Sequence, residues 1–346
     1  MVPDGSVARM VRRVTHRRRD GSVASRNARS PDRRTAAGTT GHRGVPGRGH
    51  DREARRIDHR PGRGLTGSPP GGNPHSPLGA QRRETRQVSV LHVSHWPAHA
   101  DTAQPTFVLL HGWACDSTDW APLVDRFRAL GTVLAVDLPG SGNSRSDPGP
   151  YTLPHAVTRV AEILRDHRSA PILVGHSAGC EVAVALADDP AVRARAIVAV
   201  DPAYGFPDGD RDRVRAVARR LETHDPRTVA LEYFSAIDGT ATPEQIREQH
   251  PSRLRATDAA LRETFREFAF GPGALHFSPE CDERHRRRTV PLLALYRNAA
   301  RAAPARGFAT HAGDRVITRD DAGHWLHLED PDRFISDLTD WLAELR

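Results

Sequence analysis

The chain has 346 residues, room for two domains or for one large domain with an insertion, and its 50 basic residues, all arginine, outnumber 43 acidic ones to give +7. That charge suggests a nucleic-acid binder until it is partitioned: residues 1–86 hold 20 Arg and 7 acids (+13), while the rest holds 30 Arg and 36 acids (−6). The basicity belongs to the first quarter of the chain and carries no argument for a nucleic-acid partner of the body.

Residues 1–86 lack Phe, Trp and Tyr and are dense in Gly, Pro, Ser and Arg. Such a segment cannot bury enough apolar surface to offset the entropy of ordering, so it reads as disordered. Arg9, Arg12, Arg13 and Arg17 to Arg19 interrupt the start before any apolar stretch forms, so no secretory signal is expected here. Exclusive use of Arg over Lys suggests a high-GC coding sequence. One reading of the tail is therefore translated upstream sequence ahead of a start near Val88 or Val90, which the intact mass of the native protein decides. The other reading, an RNA- or DNA-binding arm, lacks the aromatics that would interleave with the arginines. Nothing elsewhere approaches a transmembrane span. Cys115, Cys180 and Cys281 are too few and too scattered for a disulfide framework or a zinc site. A soluble cytoplasmic protein is the expectation.

From Gln87 the chain changes to short apolar runs separated by turns and helical patterns. Val88 to Val93 alternates as an edge strand does, and Thr106 to Leu110 is a buried-strand run. Further runs are Val133 to Val136, Ile172 to Val174, Ala196 to Val200, Leu292 to Tyr296 and Arg315 to Thr318. Helix-period segments lie between several of them: Trp120 to Leu130, Leu153 to Asp166, Gly179 to Ala187 and Phe334 to Leu345. The alternation predicts an α/β fold with a mostly parallel sheet covered on both faces. Residues 203–289 break it with amphipathic helix candidates (Asp210 to Glu222, Arg227 to Ser235, Pro243 to Gln249, Thr257 to Phe268) and no convincing strand. An insertion of that length is too long for a loop and reads as a helical cap; the alternative is a subdomain with no part in substrate binding. The expected division is a tail at 1–86, a core at 87–202 and 290–346, and a cap at 203–289.

Three motifs carry chemistry. Gly175-His176-Ser177-Ala178-Gly179 follows a strand and precedes a helix, so Ser177 would occupy a sharp, strained turn that Gly175 and Gly179 leave room for. His111-Gly112-Trp113 follows the strand Phe107 to Leu110 at the same sheet edge, so the Trp113 and Ala178 N–H groups can converge on one oxygen as an oxyanion hole. Ala322-Gly323-His324-Trp325 follows the last strand and supplies a base for Ser177. His176 should point elsewhere, and His327 should serve the terminal helix.

With these pieces and the Asp137 to Ser144 turn in order, residues 87–346 resemble an α/β-hydrolase. The resemblance implies that Ser177 is the nucleophile, His324 the general base and acid, and Trp113 and Ala178 the oxyanion donors. It places the cap between strands 6 and 7 of the family's sheet and makes Asp137 to Ser144 a structural turn without a catalytic role. The chain departs from the family at the acid: the loop after Leu292 to Tyr296 reads Arg297-Asn298-Ala299-Ala300, with no carboxylate. Asp201, which ends the preceding strand, is the expected replacement, as in certain relatives that take the acid there; Asp314 is the rival.

The chemistry expected is hydrolysis of an ester or related carbonyl bond of a small or medium apolar substrate through an acyl-enzyme, with no cofactor and no metal. The partner is a small molecule rather than nucleic acid or a membrane, and the oligomeric state is open. Trp113, Tyr204, Phe206 and Trp325 are the expected substrate contacts, while Phe265 and Phe268 read as the cap's own core and Phe270 is a further candidate. Cys115 and Cys180 read as buried structural thiols, and His276 and His285 lack partners at metal-ligand spacing. Two other readings stand beside this one: a cofactor-independent dioxygenase acting on a hydroxylated heteroaromatic ring, and a ligand-binding pseudoenzyme.

Overall fold

The computed structural model describes residues 91–100, 105–165, 167 and 169–345; the expected disordered tail at 1–86 lies outside the described residues, as do Val88 and Val90. In chain order come β1 (Val93–Trp96), β2 (Thr106–Leu110), a 3₁₀ segment over Ser117–Leu123, α1 (Val124–Arg128), β3 (Thr132–Val136), α2 (Leu153–Leu164), β4 (Ile172–His176), α3 (Ala178–Ala187) and β5 (Ala196–Val200). The interval up to β6 (Leu292–Tyr296) carries α4 (Arg211–Thr223), α5 (Pro226–Ile237), α6 (Glu244–Glu248), α7 (His250–Arg253), α8 (Asp258–Phe270) and α9 (Glu280–Arg287). The chain closes with α10 (Ala299–Phe308), β7 (Arg315–Thr318), α11 (Leu326–Glu329) and α12 (Pro331–Glu344).

Among the described residues the sheet has seven strands in the order β1-β3-β2-β4-β5-β6-β7, parallel throughout except for β1, which runs antiparallel to β3. Every residue of β2, β4, β5 and β6 is buried, as strands covered on both faces must be. Successive side chains alternate between two cores. Phe107, Leu109, Ile172 and Val174 face Trp120, Phe127, Leu338 and Trp341 from the 3₁₀ segment, α1 and α12. Val108, Leu110 and Leu173 face Val160, Val182, Leu186 and Phe308 from α2, α3 and α10. Side chains as large as Trp120 and Trp341 each contribute about 2–3 kcal/mol by leaving water.

Local chemistry sets the helix starts. Thr152 accepts the His155 N–H (3.3 Å) at α2, and Asp225 and Asp330 cap α5 and α12 by accepting the Thr228 (2.8 Å) and Arg333 (3.0 Å) N–H groups. Pro226 and Pro331 follow those caps, where a missing N–H costs nothing.

Two expectations shift, and a helix stands where none was expected. The first strand runs from Val93 to Trp96, because its register pairs Val93 with Val136 and Trp96 with Val133. The helix expected over Trp120 to Leu130 is a 3₁₀ segment followed by one short α-turn, and Pro122 inside it removes a helical donor. Helix α9, Glu280 to Arg287, shows little periodicity because only Cys281 and His285 of its eight residues are buried. The parallel strands β2, β4, β5 and β6 end on one edge, and the residues following them are His111, Ser177, Asp201 and Arg297. Open α/β sheets bind ligands at that edge.

Candidate active site

Ser177 caps α3 with φ 52° and ψ −118°, a left-handed backbone that a residue with a side chain adopts only under constraint. The constraint comes from both sides of the turn. A Cβ on Gly175 would lie 2.5 Å from the Gly179 carbonyl oxygen, and one on Gly179 would lie 2.3 Å from that of Leu110. The Ser177 N–H donates to the Val200 carbonyl (3.0 Å), tying the elbow to the end of β5. Ser177 is half-buried at the positive end of α3.

His324 is buried in the loop after β7, and its Nδ1 donates to Asp201 Oδ2 at 2.6 Å. That bond leaves Nε2 as the free ring nitrogen. Asp201, also in a left-handed conformation (φ 37°), receives two further donors from the loop after β6. The Arg297 N–H reaches Oδ1 (3.2 Å) and its guanidinium reaches Oδ2 (2.9 Å). The loop without a carboxylate thus supplies a cation to the carboxylate on the neighbouring strand. Burial alone would raise the Asp201 carboxyl, but the His324 hydrogen bond, the His324 charge and the Arg297 and Arg301 guanidinium groups outweigh it and hold the group below its ordinary value. Burial depresses His324; Asp201 opposes this, Arg297 and Arg301 reinforce it, and the ring ends below its ordinary value. The rival Asp314 is not here: it binds the Arg288 guanidinium (2.7 and 2.8 Å) and the N–H groups of Leu292 and His311 at the start of β6.

The loop after β2 lies directly against the elbow, since a Cβ on Gly112 would stand 3.3 Å from Ser177 Cβ. His111 shapes this loop: its Nδ1 donates to the Gly112 carbonyl (2.8 Å) and its Nε2 accepts the Leu138 N–H (2.9 Å). Asp137 accepts the N–H groups of Ser117 and Asn143 (both 2.8 Å), which gives the Asp137 to Ser144 segment its turn.

Ser177, His324, Trp113, Ala178 and Trp325 line one cavity, which with the solvent-open space at its mouth spans roughly 490 Å³. Trp113 anchors its wall, donating its indole N–H to the Leu261 carbonyl (3.0 Å) with the Phe265 ring 5.0 Å away. A second cavity shares Trp113, Ala178 and Phe268 and continues to Leu138, Ser141 and Tyr151, so the structural turn also forms a wall.

Two expected contacts are corrected. Tyr204 is buried outside the cavity against His285 and Phe308 (4.8 and 6.3 Å between ring centres), and Phe206 stacks on His276 at 4.5 Å. Gly205 between them takes φ +71°, and Phe206 exchanges backbone hydrogen bonds with His276 and Ser278, which turns both aromatics away from the opening. Conversely Phe265 and Phe268, expected to be internal to the cap, line the cavity, while Phe270 does not.

Several lining residues escaped sequence reasoning: Tyr233, Phe234 and Ile237 on α5, Glu181 one turn into α3, and His276. Glu329 is a hidden support, accepting the Gly323 and Trp325 N–H groups (2.6 and 3.3 Å) that flank His324. His176 donates to or accepts from nothing at Ser177; its Nε2 bonds the His324 carbonyl (3.1 Å). His327 packs on His176 and Trp120 and also meets Phe334 of the terminal helix. Cys115 and Cys180 are fully buried free thiols whose ionisation burial makes harder. Among the described residues no group of three His, Cys, Asp or Glu side chains could hold a metal ion, and no helix is long and apolar enough to cross a membrane.

The family model of the alpha/beta hydrolase family matches residues 107–337. A pimeloyl-[acyl-carrier protein] methyl ester esterase of Xanthomonas campestris pv. campestris (strain B100) is 30% identical over 259 residues, covering 70% of this chain and 96% of that protein. Among solved structures, MenH from S. aureus aligns with a TM-score of 0.60 at 21% identity, over 73% of this chain and 98% of its own. The enol-lactonase from Burkholderia xenovorans LB400 aligns with a TM-score of 0.60 at 21% identity, over 73% and 96%. The two structures share the fold, and the sequence matches give the lineage: the chain belongs to the alpha/beta hydrolase family.

Proposed function

We propose that this chain hydrolyses carboxylic esters through a Ser177–His324–Asp201 triad. The observation that carries the reading is the 2.6 Å bond from His324 Nδ1 to Asp201 in a cavity shared with the strained Ser177. Asp201 fixes the tautomer, so Nε2 takes the Ser177 proton as Oγ attacks the ester carbonyl, and the carboxylate then stabilises the imidazolium. The backbone N–H groups of Trp113 and Ala178 receive the developing oxyanion, helped by the α3 terminus. His324 returns the proton to the leaving alcohol, and water activated by the same ring releases the acid.

Residues 87–202 and 290–346 act as the catalytic core and 203–289 as a cap whose Phe234, Phe265 and Phe268 favour a small or medium substrate with an apolar body. The relative's name supports a methyl ester among the substrates. Three free cysteines fit a reducing, cytoplasmic setting.

The test is a panel of esters, lactones and hydroxylated heteroaromatics together with a fluorophosphonate probe. Labelling confined to Ser177 and ester turnover at equal rate with and without oxygen is the expected result. Oxygen consumption with a heteroaromatic ring would replace this reading by the dioxygenase one, and labelling without turnover would leave a binding protein.

A further inference from the structure

The walls of the cavity are apolar at Trp113, Phe234, Ile237, Phe265 and Phe268, and away from the triad they turn polar at Tyr233, at Thr264 and at one carboxyl–imidazole pair. There Glu181, 1% exposed, and His276, 7% exposed, come together with Nδ1 to Oε1 at 3.6 Å, longer than a hydrogen bond. The other Glu181 oxygen accepts the Leu275 N–H at 3.4 Å, a weak contact. A carboxyl group in such a wall is costly unless partnered, and these contacts leave it under-used. His276 is held in place: its ring stacks on Phe206, over which the Arg301 guanidinium lies at 3.6 Å.

We propose that Glu181 and His276 form a polar subsite that selects esters bearing an uncharged hydroxyl or carboxamide group roughly four to six bonds from the reacting carbonyl. The reach follows from α3: Glu181 lies four residues after Ser177, on the same face and about 6 Å further along the axis. The ionic character follows from the surroundings. Burial raises the Glu181 carboxyl well above its ordinary value, so it stands as an O–H donor. His276 is pushed down to about 3 by burial and then by Arg301, Arg213 and Arg211, so it stays a neutral ring. Those same arginines oppose an ammonium on the substrate. They also offer little to a carboxylate, since Arg211 and Arg213 are paired with Asp208 and Asp210, and Arg301 donates to the Pro202 and Tyr204 carbonyls. A neutral group that both donates and accepts is the remaining match.

The proposal rests on the esterase reading, and its test separates the two. Methyl 6-hydroxyhexanoate is compared with methyl heptanoate, methyl 6-aminohexanoate and monomethyl adipate, and 4-hydroxybutyl acetate with pentyl acetate. The wild type is expected to favour the hydroxy ester over its alkyl isostere in one of the two series by about tenfold in kcat/KM. That ratio should fall at least tenfold in Glu181→Leu and persist in Glu181→Gln, which keeps an uncharged donor and acceptor. His276→Phe, which preserves the stack on Phe206, gives the same readout if Glu181→Leu fails to fold. A ratio unchanged in the folded variants would reduce the pair to a latch between α3 and residues 275–277 and overturn the proposal. Preference for a charged arm, or for the alkyl arm in both series, would overturn it too. Calorimetric binding of the same compounds to Ser177→Ala reads the subsite without turnover. If no ester is hydrolysed but the hydroxy compounds bind more tightly, the esterase reading fails and the subsite stands; equal affinities would sink the subsite.

Discussion

Ser177 and Asp201 follow neighbouring parallel strands, and both have a left-handed backbone (φ 52° and 37°), yet the chain holds them by different means. The Ser177 turn is local: Gly175 and Gly179 clear the space, and α3 begins at the next residue. The Asp201 corner is assembled from afar, by Arg297 and His324, which lie 96 and 123 positions away in sequence. The first is a matter of backbone sterics, the second of balanced charge. Substitutions should therefore act on the two corners in different ways.

The largest effect is expected at the serine. Ser177→Ala should lower kcat by about 10⁴–10⁶-fold and abolish fluorophosphonate labelling while the thermal midpoint stays close to wild type, because the elbow needs small neighbours more than it needs the hydroxyl. Retained turnover would remove Ser177 from the chemistry. Asp201→Asn should cost about 10³–10⁴-fold in kcat, since an amide can hold the wrong tautomer of His324. Activity of Asp201→Asn near that of the wild type would return the acid role to another carboxylate.

Arg297→Met probes the charge balance, with an expected loss of about tenfold in kcat. Its signature is the acidic limb of the pH profile of kcat/KM. In the proposed triad His324 must be neutral, and burial depresses its pKa below the ordinary value, so the wild type should lose activity only below the usual imidazole range. Arg297 disfavours the imidazolium; removing it raises the His324 pKa and moves the limb up. Asp201 favours the imidazolium; removing its charge moves the limb down. Opposite displacements by two substitutions on one carboxylate–guanidinium pair would establish Arg297 as a positioning residue, and a limb that stays put in both would show it to be a structural clasp. The guanidinium also donates to the Ile237 carbonyl of α5 (3.2 Å), the helix whose Phe234 and Ile237 line the cavity, so KM should rise as well.

What could be read from the sequence follows the same division. The sheet was legible because β2, β4, β5 and β6 each carry a run of at least three apolar residues near turn residues, and the elbow because five contiguous residues specify it. Asp201 was reachable by combining a strand end with a loop that lacks a carboxylate. Arg297 was not, because nothing local says that a guanidinium after one strand will reach a carboxylate after the next. Glu181 was hidden inside a motif whose other residues explained it as helix, and Glu329 supports His324 only through backbone contacts that no spacing rule anticipates.

Tyr204 makes the limit concrete, and its substitution should have the smallest effect. An aromatic three residues beyond Asp201 invites a substrate-binding role, but the side of the chain it faces depends on Gly205 and on the pairing of Phe206 with the 276–278 segment. Its hydroxyl is buried with no hydrogen-bond partner among the described residues, and its ring meets His285 and Phe308. Tyr204→Phe therefore removes an unsatisfied polar group while keeping the packing, which should stabilise the fold by about 1 kcal/mol or leave it unchanged. KM for aromatic and alkyl esters should stay within about twofold of wild type. A selective rise in KM for aromatic esters would put Tyr204 at the substrate, and with it the whole turn through Gly205 would have to open toward the cavity.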